Sequence, residues 1–213
     1  MPATLTSDLI WLAVLVLLLV SWTVIRPVVG FLFGRGISRR ALAAQPDTIH
    51  LEPCTDSEWA DLARRDRVTA ELEGLGFGDA GCFAVRELPG VRLRLFAREA
   101  DATYAAYYEH PRARAWFEYV CRFTDGSSCT WTTLRPTGVA ERPGHPVRHL
   151  PNASAASLWK CVTRERPARP AQHASVDEAA ADFEHAWADG IAWRKGRGAS
   201  RTEVAQVAMR KAA

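Results

Sequence analysis

The chain has 213 residues, with 27 Lys and Arg against 24 Asp and Glu and a formal net charge of +3. That excess is local: Arg26, Arg35, Arg39 and Arg40 stand in a stretch without acids, whereas residues 41–160 carry 14 basic and 16 acidic side chains and residues 161–213 carry 9 and 7. Nucleic-acid affinity needs clustered Lys and Arg, so no nucleic-acid partner is expected.

The first element is an anchor. Residues 9–25 contain no charged side chain, and residues 9–20 are unbroken Leu, Ile, Val, Ala and Trp, too apolar for one stripe of a soluble helix. At ~1.5 Å per residue the run is about 25 Å long, so its flanks must help it cross the hydrocarbon core. Trp11 and Trp22 fall near its ends, where indoles favour the headgroup boundary. The apolar stretch 28–33 after Arg26-Pro27 either continues the helix past a kink or lies in the interface. A cleaved signal peptide fits poorly, because the region before the run has no Lys or Arg. Residues 1–34 thus read as a single-pass anchor contacting the lipid bilayer. The four following arginines keep their side cytoplasmic, which places the N-terminus outside and the remaining chain inside. Those arginines also suit anionic lipid headgroups. Five cysteines without a C-x-x-C pair agree with a reducing compartment better than with a disulfide framework.

Residues 35–53 read as a linker, with Gly34, Gly36 and Gln45-Pro46-Asp47 and no periodicity. A capping box at Thr55-Asp56-Ser57-Glu58 predicts a helix to about Glu73. Its apolar residues split between two faces, one with Trp59, Leu62 and Ala63 and one with Val68, Leu72 and Leu75. From residue 82 the period becomes two. Strands are expected over 82–88, 91–98, 103–109, 115–123 and 127–134, separated by Pro89-Gly90, Asp101, His110-Pro111 and Asp125-Gly126. Such short connections join antiparallel neighbours, giving a five-stranded meander. Val91, Leu93, Leu95 and Ala97 should face a core and Arg92, Arg94 and Arg98 a solvated side, with Glu87 within reach of Arg92.

The Pro- and Gly-rich residues 135–151 read as an irregular loop, followed by a short helix over 154–162. Capping boxes at Ser175-Val176-Asp177-Glu178 and Ser200-Arg201-Thr202-Glu203 open helices over about 176–194 and 201–211. The fold class is therefore α+β: a single transmembrane helix, then a soluble domain over 54–213 with the meander and flanking helices on one sheet face.

Chemistry-bearing patterns are few. There is no G-x-G-x-x-G, P-loop, G-x-S-x-G or H-E-x-x-H, so no catalytic residue, metal ligand or cofactor is assigned. His145 and His149 are separated by Pro146, which prevents one helix face from presenting both. Glu178, Asp182, His185 and Asp189 form a stripe opposite Val176, Ala180, Phe183, Trp187 and Ile191, which makes the acids the solvent side of an amphipathic helix. The hairpin at Asp125-Gly126, closed by a two-residue turn, would pair Cys121 with Thr130 and Tyr119 with Thr132. One face would then carry Phe117, Tyr119, Cys121 and Phe123 beside Thr130 and Thr132, either as core or as the wall of an apolar ligand cavity. The same register puts Cys121 and Cys129 on opposite faces, so no disulfide joins them. Functionally, the sequence leads to a membrane-tethered, non-catalytic interaction or scaffold protein with an unidentified protein partner. Binding of a lipid or other apolar molecule is the alternative, and an enzyme of unknown class the second alternative.

Overall fold

The structure is a computed structural model that describes residues 42–55, 59–111, 113–136 and 140–198. The expected membrane helix over 9–25, Arg26, Arg35, Arg39, Arg40, the residues 56–58 of the first capping box and the last expected helix lie outside them. Among the described residues no helix is long and apolar enough to cross a membrane. The chain forms two compact units. One comprises Met1–Gln45, Thr137–Ala140 and Arg194–Ala213, and in its described part Lys195 Nζ donates to the Gln45 carbonyl at 2.7 Å. The other, Pro46–Pro136 with Glu141–Trp193, holds the sheet.

That sheet contains β1 (Leu51–Pro53), β2 (Gly78–Val85), β3 (Arg92–Arg98), β4 (Thr103–His110), β5 (Ala113–Arg122), β6 (Ser128–Thr132) and β7 (Val147–His149), in spatial order β1 to β7. The expected five-stranded antiparallel meander is present as β2 to β6. Each end gains one strand. β1 lies within the segment read as a linker: it pairs antiparallel with β2 through Leu51 and Val85, and Ile49 just before it is buried. Three residues ending in Pro are too few to show a period of two, so this strand has no pattern of its own and borrows the free edge of β2. β7 lies within the segment read as an irregular loop and pairs parallel with β6. The intervening residues 133–146 supply the long crossover that parallel pairing requires.

Helix α1 (Leu62–Gly74) starts later than the Thr55 capping box predicts. Trp59 and Ala60 are not helical, and the cap is Asp61, whose carboxylate accepts from the Arg64 amide at 3.0 Å. Glu109 on β4 takes the Ala60 and Asp61 amides at 2.8 and 3.1 Å, so a partner distant in sequence defines the start. The divided apolar pattern of α1 has a physical outcome: it buries Arg65 and Thr69 beside Leu72 and leaves Leu62 exposed. Helix α2 (Ala155–Glu165) is capped by Ser154 Oγ, which accepts from the Ser157 amide. Helix α3 (Ala179–Arg197) begins three residues later than the Ser175 and Glu178 box predicts, and only half of that box forms: the Glu178 amide donates to Ser175 Oγ at 3.2 Å, whereas the Ser175 amide donates to the Tyr104 hydroxyl and the Glu178 carboxylate takes the Ser175 hydroxyl.

The helices lie on both faces of the sheet, not on one. On the first face Leu72 of α1 and Leu158, Trp159 and Val162 of α2 pack with Phe77, Phe96, Tyr107, Phe117, Tyr119, Phe123 and Trp131. On the second face Ala179, Ala180, Phe183 and Trp187 of α3 pack with Val85, Leu93, Leu95, Ala106 and Tyr108. Val91, Leu93, Leu95 and Ala97 are buried as expected. The opposite side of β3 is not a solvated face, because Phe96 is fully buried there. Arg94 ion-pairs with Asp79 at 2.5 Å, and Arg98 stacks over Trp159 while pairing with Asp101. Glu87 pairs with His50 at 2.6 Å.

Candidate functional site

The hairpin that was to shape an apolar ligand face closes by a longer turn. The Gly126 amide donates to the Phe123 carbonyl at 3.0 Å and the Phe123 amide to the Ser127 carbonyl at 2.9 Å. The loop is therefore Thr124-Asp125-Gly126, with Gly126 at φ +80°, the three-residue turn that ends in a left-handed residue. Asp125 Oδ1 holds it by accepting from the Ser127 amide and hydroxyl at 2.9 and 2.5 Å. One added loop residue shifts the register by one, which moves every β6 side chain to the other face. Tyr119 lies opposite Trp131 and Cys121 opposite Cys129, while Thr130 and Thr132 face the second side.

The proposed ligand face thus divides. Phe117, Tyr119, Cys121 and Phe123 are buried in the first-face cluster. Tyr119 makes ring contacts with Phe77, Phe117 and Trp159 at 5.3, 6.1 and 5.3 Å, and its hydroxyl donates to the Ala155 carbonyl at 3.0 Å. These residues have the environment of packed core. Tyr107 is the polar exception: it is stacked on Trp59 at 5.6 Å, its hydroxyl has no hydrogen-bond partner among the described residues, and burial pushes its pKa up to about 12.

Thr132 belongs instead to a polar cluster on the second face that the sequence patterns did not mark. The register sets Ala106, Glu118, Thr132 and His149 side by side across β4, β5, β6 and β7. The Tyr108 hydroxyl donates to Glu118 Oε1 at 2.6 Å. Tyr108 stacks on Trp116 at 4.6 Å and leans on Phe183 at 6.1 Å. Burial raises the Glu118 carboxyl pKa, opposed by hydrogen bonds from Tyr108 and Thr132 and by the nearby His149. The same burial, with Glu118 adjacent, raises Tyr108. His149 Nδ1 lies 2.8 Å from the Leu134 carbonyl oxygen; donation through that nitrogen leaves Nε2 as the acceptor of the neutral ring. A carboxyl held toward its neutral form, a phenol and an oriented imidazole are acid–base groups. Here the bonds described bind them to one another and to the backbone. The legible hint was a lone Glu inside the aromatic run Trp116-Phe117-Glu118-Tyr119, but only the true register brings Thr132 and His149 beside it.

The remaining candidates do not converge. His145 Nδ1 is 2.8 Å from Ser128 Oγ, apart from the His149 contact with Leu134, and among the described residues no group of three His, Cys, Asp or Glu side chains is arranged to hold a metal ion. In the acidic stripe of α3, Asp182 accepts from the Tyr104 hydroxyl at 2.9 Å and pairs with Arg122 at 3.2 Å, so it ties α3 to the sheet.

The cysteines depart from the expectation of free thiols throughout. Cys54 and Cys82 form a disulfide with Cα atoms 5.4 Å apart, adjoining the β1–β2 pairing where the Cys54 amide donates to the Cys82 carbonyl. Cys121, Cys129 and Cys161 are free. Cys121 and Cys129 are unbridged, but not for the expected reason, since they face each other across β5 and β6. Cys121 Sγ instead contacts Thr103 Oγ1 at 3.2 Å, and burial raises the pKa of both thiols.

No protein-family model, curated protein or solved structure matches the chain.

Proposed function

We propose that the chain is a membrane-tethered interaction or scaffold module that acts by contact and not by chemistry. The observation that carries this reading is the internal pairing of its best acid–base groups: Tyr108 is spent on Glu118 and His149 Nδ1 on the Leu134 carbonyl. Catalysis requires such groups to converge on a place where a reacting atom can sit. The uncharged run 9–25 supports the tether, and the arginine flank supports a cytoplasmic domain with Arg26, Arg35, Arg39 and Arg40 at the bilayer surface. Cross-linking in native membranes tests it, comparing the full chain with one lacking residues 1–41. The expected result is a discrete protein adduct that needs the tether. A stoichiometric small molecule retained in native mass spectra, with no protein adduct, would replace the module by a ligand carrier.

Such a carrier is the second reading, and one observation favours it. Trp116, Glu118 and Val120 are only half-buried on the second face, which leaves an aromatic surface with a carboxyl group for an amphipathic molecule.

A further inference from the structure

The Cys54–Cys82 disulfide stands in a domain whose flanking arginines assign it to the cytoplasm, a compartment where disulfides are rare and, when present, are usually transient. Its surroundings differ from those of the other cysteines. Cys54 is half-buried between exposed Pro53 and Thr55 at the end of a three-residue edge strand. Cys82 lies inside the sheet between β1 and β3 and packs against the first-face core. The Trp59 indole N–H donates to Cys82 Sγ at 3.0 Å. The bond closes a loop of sequence separation 28 that contains Trp59, all of α1 and Phe77, the part of the chain covering one end of the first face.

We propose that Cys54–Cys82 is a thiol–disulfide switch that sets how firmly the α1 segment is held on the sheet. A thiolate of a dithiol reductant attacks the sulfur of Cys54, which stands half-buried between two exposed neighbours. The Cys54–Cys82 bond breaks as the mixed disulfide forms, and Cys82 leaves as a thiolate stabilised by the Trp59 N–H before taking up a proton. The second thiol of the reductant, once deprotonated, displaces Cys54, which is likewise protonated, so the protein gains two electrons and two protons while the dithiol becomes a disulfide. A low-molecular-weight disulfide reverses the reaction by the same exchange. Reduction leaves other holds on α1 in place: Glu109 on the Ala60 and Asp61 amides, and Glu71 on the Ala155 amide at 3.0 Å. The segment therefore loosens locally without global unfolding. The buried Cys121 takes no part, since burial keeps it a thiol.

The switch rests on the cytoplasmic reading of the domain, so the test reports both. Acid-quenched cells carrying the full chain are differentially alkylated and Cys54 and Cys82 are mapped by mass spectrometry, before and after a thiol oxidant, beside a compartment reporter fused after Ala213. Amide exchange is measured on the purified full chain, oxidised and reduced. The expected result is a pair largely reduced in resting cells and oxidised on challenge, with exchange over residues 59–77 faster in the reduced protein by about tenfold or more beyond any rise in the β3–β5 strands. A pair that stays oxidised beside a cytoplasmic reporter overturns the switch alone. One that stays oxidised beside a non-cytoplasmic reporter overturns the orientation as well. A pair that never oxidises, exchange unaffected by reduction, or exchange that rises equally across the whole sheet also overturns the proposal. The Cys54→Ser, Cys82→Ser double variant should match the reduced exchange pattern; should it fail to fold, the reduced wild-type protein still decides.

Discussion

Along β5, Phe117, Tyr119 and Cys121 enter the first face and are buried, while Trp116, Glu118 and Val120 enter the second and are half-buried. The two faces are covered differently. Two helices and the Trp59 segment close the first with interlocked rings, and Arg94 and Arg98 on that face are held in ion pairs with Asp79 and Asp101. On the second, α3 packs with residues of β1 to β4 and reaches β5 at Trp116 and Arg122, and β5 to β7 carry the polar row Glu118, Thr132 and His149. The lesson is that one strand with a clean period of two can serve two environments. Alternation tells which residues travel together, whereas helix coverage decides whether they become sealed core or a wetter, polar surface.

Removing one ring from each side of β5 is the most severe way to break that contrast. Tyr119→Ala deletes a fully buried side chain with three aromatic neighbours and should cost about 3–5 kcal/mol. Trp116→Ala removes a larger but half-exposed ring and should cost only about 1–2 kcal/mol. Denaturant unfolding of the full chain in detergent, followed by far-ultraviolet circular dichroism, measures both. Equal losses would mean that the second face is as tightly packed as the first.

The disulfide sharpens the comparison, because the loop it closes supplies part of the first-face cover only. For a sequence separation of 28, chain-entropy reasoning gives about 3–4 kcal/mol for the cross-link. Reduction should lower the unfolding midpoint of the oxidised protein accordingly. A reduced protein of unchanged midpoint would show that α1 is held by its side-chain contacts alone.

Much of this architecture was legible. Strands β2 to β6 announce themselves by alternation and by turn residues, α3 by its Ser175 box, and α2 as a short helix after the Pro- and Gly-rich segment. What failed had three causes. β1 and β7 are three residues each and form only because an existing edge accepts them, so no local pattern exists to detect. The β6 register depended on a single loop residue: Asp-Gly signals both a two-residue turn and the end of a three-residue turn, and the Asp125 bonds to Ser127 favour the second. That one residue exchanged Thr130 and Thr132 for Cys129 and Trp131 on the aromatic face, and it hid the Glu118 cluster. The start of α1 failed for a third reason, since Glu109, a distant carboxylate, holds the amides that a local capping box was expected to hold.

The turn offers a test of that account with a smaller effect. Gly126 has φ +80° and nothing near the position of an added Cβ, so Gly126→Ala meets backbone strain but no clash. A cost of about 1–2 kcal/mol is expected, with the Cys121–Cys129 register unchanged. An added cysteine oxidant provides the register readout. A Cys121–Cys129 bridge found by peptide mapping is compatible only with facing positions, whereas reactivity confined to Cys129 with Thr130 facing Cys121 in cross-strand nuclear Overhauser contacts would restore the two-residue turn.

The smallest effect concerns Glu118 and the incomplete cover of the second face. Burial raises its carboxyl pKa above the ordinary 4.5, while Tyr108, Thr132 and His149 pull it back down. A raised folded-state pKa means that the folded protein holds the proton more tightly than the unfolded chain does. The resulting stabilisation is complete below the unfolded-state value near 4.5 and is lost as pH rises through the higher folded-state value. Glu118→Gln removes the titration but keeps the shape and an acceptor for the Tyr108 hydroxyl. Wild-type stability should therefore fall relative to the variant across that window and settle to a constant difference above it. Tyr108→Phe removes one of the bonds that favour the ionised carboxylate, so it should carry the wild-type decline to higher pH. Unfolding midpoints of the three proteins over a pH series provide the measurement. Parallel curves for wild type and Glu118→Gln would place the Glu118 carboxyl in water, and the second face would then be an open surface instead of a half-covered one.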